Sequence, residues 1–301
     1  MTRVVVVLFG PRGQGGFNQA GLDGVRRASV GGPVEVHWIE RAEARATSLR
    51  ELCDSAPDLV VLHGGQGEAP AAEVAPGFPR VAFAVTQGSA PAANVACYQV
   101  LQEDSAFLGG VLAARLSSSG IVAHLSGERV RPGLLGRAAY ADGVRRARPD
   151  VRVLSTFCGD QHDPGLAHRT VVAQADAGAD LLFAMIDGGR DGATRACRER
   201  AIKQIGNVFD WTEREPHVFV ASAIADSGHC IAQSIAEFRA GSLALGRVVR
   251  IGLEQPAAVR LALGPSVPQS VRVELDDWAQ RLVDRSVTPT ETFTEPEFTA
   301  T

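Results

Sequence analysis

Lysine is almost missing from this chain: Lys203 is the only one, and arginine supplies the rest of the positive charge. The formal net charge of −4 leaves no basic excess with which to hold nucleic acid or an anionic membrane surface. The pairs Arg26-Arg27 and Arg145-Arg146 read as solvated helix faces. Cysteine is scarce as well. Cys53, Cys97, Cys158, Cys197 and Cys230 stand far apart, which excludes a zinc knuckle and a CxxC redox pair, and their odd number fits reduced, mostly buried thiols. No stretch approaches the roughly 20 apolar residues of a membrane helix. The first apolar run, Val4 to Phe9, is too short for the core of a secretion signal, and no cleavage site follows it. The expected location is cytoplasmic if this N-terminus is the native one, and periplasmic or lipoprotein if a leader was removed. Catalytic signatures are also wanting: there is no GxSxG, no HExxH and no cysteine in a nucleophile setting. No catalytic residue, metal or cofactor is therefore assigned.

What the chain does have is glycine-punctuated apolar runs. Its 301 residues suffice for about two domains. Val4 to Phe9 ends in Gly10-Pro11-Arg12-Gly13-Gln14-Gly15-Gly16, and a helix is expected from about Asn18. Val34 to Ile39, Leu59 to Leu62 and Val81 to Val85 follow, closing on Glu40-Arg41, His63-Gly64-Gly65 and Thr86-Gln87-Gly88. After a helix at about Glu103 to Ser117 the pattern restarts, with Ile121 to Leu125, Val151 to Phe157, Leu181 to Ile186, Ile202 to Val208 and Val218 to Ala221. Short continuous apolar runs alternating with helix-length segments predict parallel strands buried on both faces. Helices are expected at about Ser227 to Ala240 and Asp276 to Val283, and the Thr-, Glu- and Pro-rich tail from Val287 reads as weakly ordered. Parallel sheets bind ligands outside the carboxyl ends of their strands. Two such sheets sharing a mouth would gather the Gly/polar clusters around one interdomain cleft. A dinucleotide fingerprint at Gly10 to Gly16 is incomplete, since Asn18 stands where the third glycine should.

Several of these segments resemble the basic membrane protein (BMP) family of ABC-transporter substrate-binding proteins, the purine-nucleoside receptor type. The likeness rests on Gly15-Gly16-Phe17-Asn18-Gln19 with Gly21-Leu22-Asp23-Gly24, and on Pro57-Asp58-Leu59-Val60-Val61 with Gly64-Gly65. It continues through Pro79 to Ala84 with Asn94-Val95, Gln102-Glu103-Asp104-Ser105-Ala106-Phe107-Leu108-Gly109-Gly110, Gly178-Ala179-Asp180, and Ile205-Gly206 with Asp210. The resemblance implies an α/β chain with two Rossmann-like parallel-sheet domains and a hinge, the type I periplasmic-binding-protein fold. Residues 1–103 with 224–256 would form one lobe, and 104–223 with 257–301 the other. It also implies that Phe17 stacks on a nucleobase, that Asn18 bonds the ligand and that Asp210 takes ribose hydroxyls. The chain departs from the family at Ala225, where a lysine is usual, and at Met185-Ile186-Asp187-Gly188-Gly189, where the loop is usually free of acid.

Each candidate has a plainer reading beside the ligand-binding one. Phe17 can be a hydrophobic staple and Asn18 an N-cap. Gly16 and Gly65 would let the backbone approach a ligand closely. Glu103 would start the helix after the crossover, facing its dipole. Asp187 and Asp210 can both be turn residues, and Trp211 either walls the site or packs in the core. His63, ahead of Gly64-Gly65, would point into the same mouth. His162-Asp163 precedes Pro164 as a helix cap. Two functions remain open. One is a small-molecule, nucleoside-like binding protein closing over its ligand, either a cytoplasmic sensor or a substrate-binding protein serving an ABC permease. The other is an enzyme on the same fold that hydrolyses or modifies a nucleoside-like ligand, using Asp187 and Asp210.

Overall fold

The computed structural model describes residues 2–10, 12–13 and 16–299, so Gly15 of the first motif, with Pro11 and Gln14, lies outside the described residues. The chain divides into two compact units, Met1–Val100 with Asp226–Ile251, and Leu101–Ala225 with Gly252–Thr301.

In the first unit the valine-rich run Val4–Phe9 becomes β1, and every side chain along it is buried. β-Branched residues favour such a pleated, covered surface. The other strands are β2 (Glu35–Ile39), β3 (Leu59–Leu62), β4 (Ala82–Thr86), β5 (Val95–Val100) and β11 (Val248–Ile251). They form one sheet in the order β11-β5-β4-β3-β1-β2, parallel throughout. Helices α1 (Gly16–Ser29), α2 (Arg45–Asp54), α3 (Glu68–Val74) and α8 (Ser227–Arg239) belong to this unit. β2 departs from the expectation of strands covered on both faces: only Ile39 of its five residues is buried, as befits an edge.

The second unit repeats the plan. Strands β6 (Ile121–Ser126), β7 (Arg152–Phe157), β8 (Leu181–Met185), β9 (Lys203–Asn207), β10 (Phe219–Ala225) and β12 (Val259–Leu263) take the order β12-β10-β9-β8-β6-β7. One strand breaks the parallel pattern, since β12 pairs antiparallel with β10. Helices α4 (Gln102–Leu116), α5 (Arg131–Ala147), α6 (Pro164–Asp176), α7 (Arg190–Glu199) and α9 (Gln269–Val283) surround the sheet. Asp163 caps α6 as expected, accepting from the N–H groups of Gly165 and Leu166 ahead of Pro164 at the first helical position. α4 and α5 approach at backbone distance. A Cβ on Gly110 would stand 2.0 Å from the Tyr140 carbonyl oxygen, and one on Gly143 2.1 Å from that of Phe107.

The tail corrects the expectation of weak order. The N–H of Phe298 donates to the Ser155 carbonyl (2.8 Å) and its own carbonyl accepts from the Thr156 hydroxyl (3.0 Å), so it runs along the edge strand β7. Val287, Phe293 and Phe298 pack against the cores of this unit. The polar composition of residues 287–301 hides these three apolar anchors, and they outweigh the average.

Both sheets reverse their winding beside the first strand of the set, between β1 and β3 and between β6 and β8. The carboxyl ends of those strands are where a doubly wound sheet offers a crevice to a ligand.

Candidate functional site

At the β1/β3 reversal, Asn18 Nδ2 donates to the last carbonyl of β1, that of Phe9, at 2.8 Å. The first turn of α1 is thereby tied to the strand end. The Phe17 ring, half-buried, lies flat on the His63 imidazole, with centroids 4.2 Å apart and an angle of 17° between planes. His63 follows β3 directly and is 1% exposed. Its Nε2 stands 3.0 Å from the Phe17 carbonyl oxygen. A carbonyl only accepts, so Nε2 carries the proton. Burial holds the imidazole pKa down to about 4, with the Phe17 bond opposing it, so the ring is neutral and Nδ1 is an acceptor. Nδ1 is 3.1 Å from the Thr86 hydroxyl, which itself accepts the Gly64 N–H at 2.8 Å and must donate its proton to Nδ1. Every hydrogen from β4 through His63 to Phe17 is thus assigned.

In this arrangement His63 supports Phe17 from below, buried and with both ring nitrogens engaged. Gly64 allows the turn. It sits at φ +103°, and a Cβ there would lie 2.3 Å from Gln66 Oε1 and 3.1 Å from the Phe17 ring. Gly65, exposed, opens the next short turn, and Gly16 opens α1. Phe17, Asn18, Gly16 and Gly65 therefore gather at one strand-end site of the first unit.

In the second unit, Asp187, Asp210 and Trp211 gather at the ends of β8 and β9. Asp187 accepts the Arg190 N–H on its backbone carbonyl at 3.0 Å, which is the turn geometry. Arg190, the first residue of α7, is 7% exposed, and sequence reasoning passed it over. Its Nη2 donates to the Ile186 carbonyl (2.8 Å) and to Asn207 Oδ1 (3.1 Å), bridging the ends of β8 and β9. The guanidinium lies 4.5 Å from the Trp211 ring centroid. Burial lowers its pKa, and the nearby Asp187 charge works the other way. Trp211 is held at both ends: Nε1 donates to the Asn207 carbonyl (3.1 Å) and the backbone N–H to Ser222 Oγ (2.9 Å). Its ring stacks against Phe219 at 5.7 Å. Asp210 accepts the N–H (3.0 Å) and hydroxyl (2.6 Å) of Thr212, both on Oδ1, so the turn role is present and Oδ2 is not part of it. Two residues earlier Val208 holds φ +67°, a left-handed conformation that a β-branched residue rarely adopts.

Glu103 lies in the first turn of α4. Beside it Asp104 is buried, its carboxyl pushed up to about 6 by burial, against the pull of Arg285 at 3.3 Å. Among the described residues no group of three His, Cys, Asp or Glu side chains could hold a metal ion. No helix among them is long and apolar enough to cross a membrane.

The first unit offers a supported aromatic face at its strand ends, and the second offers fixed polar groups at its own. The family model for Bmp, described as ABC transporter substrate-binding protein PnrA-like, matches residues 1–287. The chain belongs to the Bmp family. That places it among small-molecule substrate-binding proteins and favours the binding reading over the enzymatic one. A purine-binding protein of Brucella abortus is 24% identical over 232 residues, which are 75% of this chain and 65% of that protein. An ABC transporter solute-binding protein of Aeropyrum pernix superposes with a TM-score of 0.84 at 19% identity, covering 95% of this chain and 92% of that one. A transcriptional activator of the comK gene from Bacillus halodurans gives 0.80 at 18% identity, covering 95% of this chain and all of that one. The Bmp member described here therefore has the type I periplasmic-binding-protein fold.

Proposed function

We propose that this Bmp-family protein binds a purine nucleoside, with the base stacked on the face of Phe17 turned away from His63. The observation that carries this reading is the Phe17–His63 stack, a rigid aromatic platform at the β1/β3 reversal. An aromatic face suits a planar base, and a ring already held by a neighbour loses little entropy on binding. Asn18 and the backbone at Gly16 and Gly65 would meet polar edges of the ligand, and Asp210 Oδ2 would accept from sugar hydroxyls. Trp211, Asp187 and Glu103 complete the proposed contact set. The purine-binding relative supports the ligand class.

Delivery of the ligand to an ABC permease is the use that the family description supports. Ligand sensing is a second reading, favoured by the match along the full length of the Bacillus halodurans activator.

Calorimetric titration with inosine and guanosine tests the proposal. Phe17→Ala should weaken a bound nucleoside by about 1–3 kcal/mol, the usual worth of one base–aromatic stack. Unchanged affinity in that variant would overturn the stacking assignment.

A further inference from the structure

The loop 127–130 joins β6 to α5 at the reversal of the second sheet, the position that the Phe17 segment occupies in the first. Arg129 of this loop donates from Nη1 to Glu297 Oε1 at 2.7 Å and from Nη2 to Oε2. Arg137 of α5, buried, donates to the same carboxylate. Its guanidinium is packed by two rings, with centroids 4.8 Å away at Phe157 and 4.5 Å away at Phe293. Thr290 N–H donates to the buried Asp142 of α5 at 3.1 Å, and Phe298 pairs with β7. The segment from Thr290 to Phe298 thus grips α5, the β7 edge and the β6–α5 loop together. The family match ends at residue 287, so every one of these contacts comes from beyond it.

The grip continues toward the candidate site. A Cβ on Gly127 would lie 2.6 Å from Gln161 Cα, so the two loops touch through backbone. Gln161 in turn accepts the N–H of Gly189, two residues past Asp187, at 3.0 Å. Burial raises the Glu297 pKa, but the two arginines more than offset it and keep the carboxylate ionised.

We propose that residues 290–298 form a strap and that Glu297 is a positioning residue, holding the β6–α5 loop and, through Gly127 and Gln161, the Asp187 loop in their ligand-binding arrangement. Its ligand arm rests on the nucleoside reading above; its structural arm does not.

The test compares full-length wild type, Glu297→Ala and Glu297→Gln by hydrogen exchange without ligand and by inosine titration. Local opening that frees a loop should raise its exchange by about tenfold or more in Glu297→Ala at 127–131, 158–162 and 186–189. Helix α4 and strand β10 should be unchanged, inosine affinity should fall severalfold, and Glu297→Gln, which keeps an acceptor, should lie between. Unchanged exchange in those loops, a uniform rise throughout the unit, or loosened loops with intact inosine affinity would each overturn the proposal. If the alanine variant does not fold, the glutamine variant decides on the same readouts. If wild type itself fails to bind inosine, the nucleoside reading fails, while the exchange data still judge whether the strap positions the loops.

Discussion

The platform beneath Phe17 makes its stability depend on pH in a way that one substitution can isolate. His63 is fully buried and neutral, with its pKa lowered by burial from 6.5 to about 4. The unfolded chain therefore takes up a proton at this residue below about pH 6.5 that the folded chain refuses. The sign follows: stability attributable to His63 is full above pH 6.5 and falls as pH drops toward 4. Each such proton contributes about 1.4 kcal/mol per pH unit, and across that window the loss reaches roughly 3 kcal/mol. His63→Gln keeps an N–H donor near the Nε2 position for the Phe17 carbonyl but cannot titrate. Urea unfolding followed by circular dichroism, at intervals from pH 7.5 to 4.5, should show the variant less stable at neutral pH. Its stability should nonetheless decline less steeply, by about one proton's worth of slope. The buried His124, whose pKa burial takes down to about 3, remains in both proteins and cancels in the comparison. Parallel pH dependences would refute the assignment of a neutral, proton-refusing His63.

The α4–α5 crossing and the thiols give two further tests. Gly110→Ala would drive a methyl to within 2.0 Å of the Tyr140 carbonyl, so the helices must separate. Thermal unfolding should register a loss of about 1–3 kcal/mol or more, and a neutral result would refute the close approach. Alkylation by iodoacetamide at pH 7 should be slow everywhere, since burial raises every thiol, Cys53 and Cys97 to about 11 and Cys197 to about 12. Cys158, the one free cysteine that is not buried, should be modified first by mass spectrometry, and prior reaction at Cys53 would contradict the burial order.

The parallel strands were legible because runs such as Val4–Phe9 and Leu59–Leu62 are short, wholly apolar and bounded by glycine. Their sequence also located Phe17, Asn18 and Gly65 at strand ends. The pairing of Phe17 with His63 was not legible, because it joins residues 46 apart that meet only once β1 and β3 are neighbours. Arg190 escaped notice for a similar reason. An arginine opening a helix after Gly188-Gly189 reads as solvated, and its burial depends on Trp211 and Asn207, which arrive from the next strand. β11 and β12 were missed because an arginine interrupts each short apolar run, Arg250 in one and Arg260 in the other. In the tail, three apolar anchors spread over twelve residues give no periodic signal.

Val208 carries a consequence for how the Asp210 turn could evolve. A β-branched residue held at φ +67° carries a conformational penalty of about 1–3 kcal/mol that its surroundings must outweigh. Glycine at this place would relieve it, yet it would also loosen the backbone two residues ahead of Asp210. The valine therefore trades stability for direction, so the ordinary drift toward a more comfortable residue would blunt the pointing of the very carboxylate that follows it.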